Sequence, residues 1–132
     1  MRRLILLAVL VLGLAACGGS GKQNGPVKIT FGREGGLIAP YSITIAPGGA
    51  VTTTGSPPAT PASLTSAQDL LVSNQVRDGI GKLKSESCPG DFPDEASFFI
   101  TALGKTVTVR GNCEQGFTDL FNALTTAVGP HL

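Results

Sequence analysis

The sequence predicts an α+β domain in which a four-stranded antiparallel sheet carries two helices on one face, in the order β-β-α-β-β-α. Three observations lead to this prediction. Apolar and polar residues alternate in two pairs of segments, as expected of strands with one buried face. Two longer segments repeat their apolar residues at helical spacing. Glycine- and proline-rich stretches lie between these segments and mark the connections.

The first hairpin is predicted from alternation over residues 27–32 and again over residues 41–45. Residues 51–54 are expected to extend the second strand beyond the turn at 47–49. The segment 33–40 contains two glycines and a proline, which favour a connection over a paired strand. This connection is unusually apolar for a surface loop.

The first helix is predicted to begin after Thr65, which forms a capping box with Gln68. Gly79 and Gly81 each weaken its last turn by roughly 1 kcal/mol relative to alanine, so we expect it to end near Asp78. The predicted buried stripe consists of Ala67, Leu71, Val72, Val76, Ile80 and Leu83.

The second hairpin is predicted over residues 96–110, with Gly104-Lys105 as a two-residue turn. Leu103 is expected to pair with Thr106, and the same register sets Cys113 opposite Ala96. The buried face then consists of Phe98, Ile100, Ala102, Val107 and Val109.

The last helix is expected to use Asn112 as its N-cap, with Gln115 three residues on, and to end before Gly129-Pro130. Its buried stripe is predicted to consist of Phe117, Leu120, Phe121, Leu124 and Val128.

The N-terminus has the layout of an export signal, because Arg2 and Arg3 precede an apolar stretch over residues 4–16. Thirteen residues are too few for a helix to span a bilayer, which takes roughly 20. The quartet Leu14-Ala15-Ala16-Cys17 resembles the lipobox of bacterial lipoproteins. The resemblance implies that residues 1–16 are removed and that Cys17 carries a diacylglyceryl group on sulfur and a fatty acid, such as palmitate, on its new amine. The alternative is an ordinary signal peptide with a chance cysteine.

The remainder of the chain divides into a glycine-rich linker over residues 17–25, one domain over 26–129 and a tail over 130–132. Lipidation predicts a chain anchored to the cell membrane or the outer membrane and facing the extracytoplasmic side.

Charge and composition exclude several functions. Without Arg2 and Arg3 the chain keeps 10 − 2 = 8 basic residues against nine acidic ones, a net charge of −1. There is no basic cluster and no tryptophan, so nucleic acid is not an expected partner. The only histidine, His131, lies in the tail, and Ser56, Ser63 and Ser66 have no base nearby in sequence. We therefore expect no catalysis, no cofactor and no metal site.

Cys88 and Cys113 remain once Cys17 is assigned to lipid. Two cysteines in an exported chain most simply form one disulfide. A redox or metal-binding pair is the alternative, although the C-x-x-C spacing and a nearby histidine are both missing.

The strand over residues 27–32, the following Arg33-Glu34-Gly35-Gly36 and the order of the later elements together resemble the emfourin family, which inhibits thermolysin-like metalloproteases. The resemblance covers about residues 26 to 129, and its short motif is matched by Phe31, Arg33, Gly35 and Gly36. It implies a β-rich domain that fills a protease cleft, without cofactor or catalysis. The anchor, the disulfide and a Pro/Thr-rich insertion depart from the family.

Two hypotheses follow for the binding of a protein partner. In the first, the partner is an extracytoplasmic protease and the contact is the loop between the first two strands, through Arg33, Gly35, Gly36, Leu37, Ile38 and Tyr41. In the second, the partner is another envelope protein and the contact is the polar sheet face, through Lys28, Thr30, Thr108 and Arg110. The glycines of the loop are equally consistent with a turn that serves geometry alone.

Overall fold

The computed structural model describes residues 25–90, 92 and 94–129. Outside these residues lie the predicted signal peptide, the predicted lipidation site Cys17, the linker up to residue 24 and the tail 130–132. The described elements are, in chain order, β1 (Ile29–Glu34), β2 (Tyr41–Ile45), β3 (Val51–Gly55), α1 (Ser66–Gly79), a 3-10 turn (Ile80–Lys82), β4 (Glu86–Ser87), β5 (Ser97–Ala102), β6 (Lys105–Arg110) and α2 (Gln115–Val128).

The six strands form one sheet in the order β3-β2-β1-β5-β6-β4. All neighbours are antiparallel except β4, which runs parallel to β6. The α+β class is confirmed, whereas the prediction of four antiparallel strands is wrong. Residues 51–55 form a strand of their own because Gly48 and Gly49, at φ 105° and 93°, reverse the chain. The short β4 is held beside β6 by the bond from Cys88 N to Arg110 O, 2.9 Å long.

The β5–β6 hairpin turns at Leu103-Gly104 and not at Gly104-Lys105. Both turn residues have positive φ, 52° and 74°, as a two-residue hairpin turn of the primed type requires. Thr101 therefore pairs with Thr106, and the predicted register is off by two residues. A shift of two leaves every side chain on its original face. The predicted buried face is accordingly confirmed, with Phe98 only partly buried at its end.

Helix α1 begins with the predicted capping box. Gln68 N donates to Thr65 Oγ1 over 3.2 Å, and Thr65 N donates to Gln68 Oε1 over 2.8 Å. The predicted buried stripe is correct in its C-terminal half but wrong at Ala67 and Leu71, and Leu71 is 60% exposed.

Asp69 and Ser73 occupy the buried positions of α1 in place of those two residues. Asp69 Oδ2 accepts a 2.7 Å hydrogen bond from Gly48 N in the β2–β3 turn. Ser73 Oγ accepts a 3.1 Å hydrogen bond from Val27 N, just before β1. These bonds tie α1 to the β2–β3 turn and to the start of the sheet. The other carboxylate oxygen, Asp69 Oδ1, is buried without a hydrogen-bond partner among the described residues.

Helix α2 begins two residues later than predicted. Glu114 is its N-cap and accepts from Gly116 N over 3.2 Å, while Asn112 Oδ1 accepts from Thr118 Oγ1 over 3.0 Å. The predicted end after Val128 is confirmed. Its apolar stripe packs on the sheet, and the Phe121 ring meets that of Phe31 edge to face at 5.6 Å. Both helices thus contribute to one core.

The sheet face opposite the helices is polar and threonine-rich. One row across five neighbouring strands is all threonine, and two pairs within it share hydrogen bonds: Thr30 with Thr44 at 3.0 Å, and Thr101 with Thr106 at 2.9 Å. This row consists of Thr52, Thr44, Thr30, Thr101 and Thr106. Much of the predicted contact face is therefore uncharged and internally hydrogen-bonded.

Candidate partner-binding site

The β1–β2 loop turns through two consecutive glycines in the left-handed region, Gly35 at φ 69° and Gly36 at φ 72°. A Cβ added to Gly35 would meet nothing within 4 Å. A Cβ added to Gly36 would lie 2.7 Å from Ala96 N and 2.8 Å from Asp94 O. Gly35 is therefore needed for the backbone angle of the turn. Gly36 is needed for that angle and also because the loop packs closely on the segment that precedes β5.

Arg33 braces the base of the loop. Its Nη2 donates a 2.7 Å hydrogen bond to Ala39 O, near the far end of the loop. Its guanidinium carbon lies 5.2 Å from the centroid of the Tyr41 ring, the cross-strand neighbour of Arg33. Such a contact between a cation and an aromatic face is stabilising. We assign Arg33 to the positioning of the loop, with its side chain already engaged within the domain.

Tyr41 is buried, with 7% of its surface exposed, although the sequence suggested a surface side chain. It begins β2 and faces the helix side of the sheet together with Ile43 and Ile45. Among the predicted contact residues with side chains, the structure leaves Leu37 and Ile38 on the surface, 85% and 60% exposed. The loop therefore projects two aliphatic side chains from a braced base.

Phe92 adds a third exposed apolar side chain that sequence reasoning missed. It is 73% exposed, and it belongs to the loop before β5, against which Gly36 packs. The sequence offered one signal, a phenylalanine inside an otherwise polar, turn-rich segment. We call Leu37, Ile38 and Phe92 the apolar tip.

The disulfide lies at the same end of the sheet as the apolar tip. Cys88 and Cys113 are joined, with their Cα atoms 5.6 Å apart, so the predicted pairing is confirmed. Cys113 N also approaches Cys88 Sγ at 3.0 Å. The strand register places the ends of β1, β5 and β6 side by side here. The bridge thereby fastens the start of the Phe92 loop to the start of α2.

An open aromatic pocket of about 340 Å³ lies next to this end, between α2 and the sheet. The ring of Phe121 is 5.2 Å from that of Phe98 and 5.9 Å from that of Phe117, measured between centroids. Glu95 and Asn112 are among its polar lining residues. Its volume lies at the lower end of the range for small-ligand sites.

The N-terminal side of the domain is at the opposite end of the sheet. Val27 is held there by Ser73, and Arg77 Nη2 donates to Gly25 O. Within residues 25–90, 92 and 94–129, no three metal-binding side chains cluster. In the same ranges, no helix has the length and apolar character needed to cross a bilayer.

The ionisation of Tyr41 offers a direct check on the base of the loop. Burial raises the pKa of the Tyr41 phenol above 10.0, and the positive charge of Arg33 opposes part of that rise. Arg33→Gln should therefore raise the pKa of Tyr41 further. The raised pKa adds stability below pH 10, which is lost as pH rises through the folded-state value.

Tyr41 is the only tyrosine of the chain, so the ultraviolet absorbance of tyrosinate reports it alone. The control is the same titration in denaturant, where both proteins should give one ordinary tyrosine pKa. A lower Tyr41 pKa in the folded Arg33→Gln protein than in the wild type would contradict the arrangement.

Comparison of the chain with protein-family models, curated proteins and solved structures finds no match.

Proposed function

We propose that the protein is a lipid-anchored extracytoplasmic lipoprotein whose domain binds a protein partner through the apolar tip, without catalysis of its own. The observation that carries this proposal is the 85% exposure of Leu37 on a loop with a fixed base. A monomeric surface rarely concentrates large aliphatic and aromatic side chains at one projecting end unless that end is used for recognition. Such side chains are common anchors of protein interfaces.

The braced base supports binding on energetic grounds. Ordering a flexible loop on association costs free energy, and a loop already held in shape loses less. The Arg33 bond to Ala39 O and the packing of Gly36 on residues 94–96 hold the tip before any partner arrives. Leu37 and Ile38 are thus presented in a defined position.

The position of the tip suits a tethered protein. The chain enters the domain at Val27, and the six residues of β1 then run to the loop, a distance of about 20 Å for an extended strand. With lipid on Cys17, the entry end is the one tied to the membrane. The apolar tip is at the other end, where it is accessible to a partner in the extracytoplasmic space.

Inhibition of a thermolysin-like metalloprotease, as in the emfourin family, is the second candidate. The observation that favours it is the projection of Leu37 and Ile38 from a narrow glycine turn, a shape able to enter a cleft. Of the positions that the resemblance rests on, Phe31 is fully buried and therefore structural. Inhibition would depend on the loop alone.

A photo-crosslinking amino acid placed at position 37 of the full anchored chain tests the first candidate in the native host. The matched control is the same amino acid at position 71, since Leu71 is also exposed but lies on α1. A discrete adduct at position 37 that is missing at position 71 would support binding at the tip. Adducts of equal yield at both positions, or none at either, would refute it.

Thermolysin inhibition by the soluble piece, residues 18–132, tests the second candidate. Inhibition should be lost in the double variant Leu37→Ser/Ile38→Ser and kept in Leu71→Ser. Unaltered protein that fails to inhibit at micromolar concentration would remove the protease from consideration and leave the first candidate standing.

Anchoring needs its own test. The mass of the mature protein should correspond to a chain that starts at Cys17 and carries acyl groups, and Cys17→Ser should release it from the membrane fraction. Recovery of Met1 in the mature chain would refute the anchor.

A further inference from the structure

The two edges of the sheet differ in a way that matters for association. An edge strand exposes unpaired N–H and C=O groups, and proteins usually protect it with charge, proline, a bulge or short length. The β4 edge follows this rule, because it has two residues, includes Glu86 and leads directly to Cys88 and Pro89. The β3 edge has five residues, with no charge, proline or bulge among them, and prolines follow it only at positions 57 and 58.

The hydrogen bonds at both ends of the β2–β3 ladder show which groups of β3 are free. Ala46 N donates to Ala50 O over 2.8 Å at the turn. Ser56 N donates to Pro40 O over 3.2 Å at the other end. Bonded and non-bonded pairs alternate in an antiparallel ladder. The β3 residues whose N–H and C=O groups point away from β2 are therefore Val51, Thr53 and Gly55.

These outward groups have no hydrogen-bond partner within the described part of the chain. Four of the five residues of β3 are β-branched, and residues 52–55 are exposed. Such residues favour extended structure. The β3 edge is thus a ready template for one more strand.

We propose that the β3 edge binds an extended, uncharged segment of a protein partner, which adds to the sheet as a seventh strand. Strand addition of this kind takes its affinity from backbone hydrogen bonds and its specificity from alternate side chains. The inference deepens the proposed partner binding and rests on it for the nature of the partner.

The absence of charge indicates the chemistry of the segment. No charged residue occurs from Gly35 to Gln68, a stretch that contains the β1–β2 loop, β2 and β3. A charged segment laid on this edge would lose hydration without gaining an ionic partner. The complementary segment is therefore neutral, with β-branched or small side chains.

The edge is continuous with the apolar tip. Gly55 pairs with Tyr41, and Ser56 N bonds to Pro40 O, so β3 ends beside the loop that carries Leu37 and Ile38. A partner segment that runs along β3 arrives at this loop. One extended segment is thereby able to use both surfaces.

A second copy of the chain fits the edge less well. Two copies of β3 paired antiparallel would point their entry ends, near Val27, in opposite directions. Chains anchored at Cys17 in one membrane need both entry ends on the same side. We therefore assign the edge to a partner and not to self-association.

The test uses the soluble piece and a synthetic peptide of alternating valine and threonine with a neutral solubilising tail. Amide exchange followed by NMR should show slower exchange at Val51, Thr53 and Gly55 when the peptide is added. Thr53→Pro removes an outward N–H without touching the β2–β3 bonds, because edge strands tolerate proline there. It should weaken peptide binding about tenfold or more.

Thr53→Val is the matched control, because it keeps the backbone groups and should bind as the wild type does. A peptide that is N-methylated at alternate residues provides a second check without altering the protein, and it should not bind. Equal binding to the Thr53→Pro protein, or unchanged exchange at the three amides, would overturn the inference. A dimer that is seen in sedimentation and is dissociated by Thr53→Pro would also overturn the inference, because the β3 edge would then pair with a second copy of the chain.

The peptide-binding test of the β3 edge and the crosslinking test of the apolar tip can succeed or fail independently. Peptide binding to β3 without any adduct at position 37 would keep strand addition and reject the tip. An adduct at position 37 that forms equally in the wild-type and Thr53→Pro proteins, together with no peptide binding, would support binding at the apolar tip and reject strand addition at β3.

Discussion

Loss of the Cys88–Cys113 bridge is expected to lower the free energy of unfolding by roughly 3 kcal/mol, because the bridge closes a loop of about 25 residues in the unfolded chain. For a domain of this size that loss corresponds to a fall in Tm of about 12 to 20 °C. The double variant Cys88→Ser/Cys113→Ser of the soluble piece, measured by urea and thermal unfolding, gives the comparison.

Reductant supplies the control. It should lower the stability of the wild-type piece to about that of the double variant and leave the double variant unchanged. A double variant as stable as the oxidised wild type would show that the sheet and helices already hold these loops together.

Gly32→Ala is expected to cost about 3 kcal/mol or more, a loss typical of severe backbone conflict. Gly32 lies in β1, in the middle of the sheet. An added Cβ would be 2.1 Å from Tyr41 O and 2.9 Å from Ser42 Cα. Both atoms belong to the backbone of β2, so relief requires a shift of the central ladder. Urea unfolding of the two proteins measures the difference.

Gly81→Ala is the matched control, because a Cβ at that position would meet nothing within 4 Å. It should change stability by less than about 1 kcal/mol. Similar losses for the two variants would mean that β2 yields easily at Tyr41.

Features of the fold that depend on residues close together in the sequence were predicted correctly. Features that depend on contacts between distant residues were not. The Thr65 capping box and the buried face of β5 and β6 were predicted correctly, since neighbouring residues decide both. Residues 51–54 were predicted to extend the second strand and not to form a strand of their own, and the short β4 was not predicted. Their pairing depends on the turn at Gly48-Gly49 and on a contact across the chain at Cys88.

Helix α1 shows why periodicity alone misplaced a buried stripe. Leu71 is exposed although it is apolar, while Asp69 is fully buried although its side chain is polar. Hydrophobicity ranks the leucine as the core residue. The decisive factor is the backbone N–H of Gly48, which pairs with Asp69 across 21 residues of sequence. No local pattern records such a partner.

The candidate site was predicted in part for the same reason. Leu37 and Ile38 were expected at the surface because they lie in a glycine-rich turn, and they are exposed. Tyr41 was expected beside them but lies in the core at the start of β2. Phe92 belongs to the loop whose residues 94–96 pack on Gly36, a contact between distant parts of the chain.

The central place of β1 has a mechanical consequence. β1 pairs with β2 on one side and β5 on the other, and it connects the entry point of the chain to the β1–β2 loop. Under the proposed function, a pull between the lipid on Cys17 and a partner bound at that loop would act along the axis of this strand. Both of its ladders would then be loaded in shear, with their bonds sharing the force, and would not peel apart one by one.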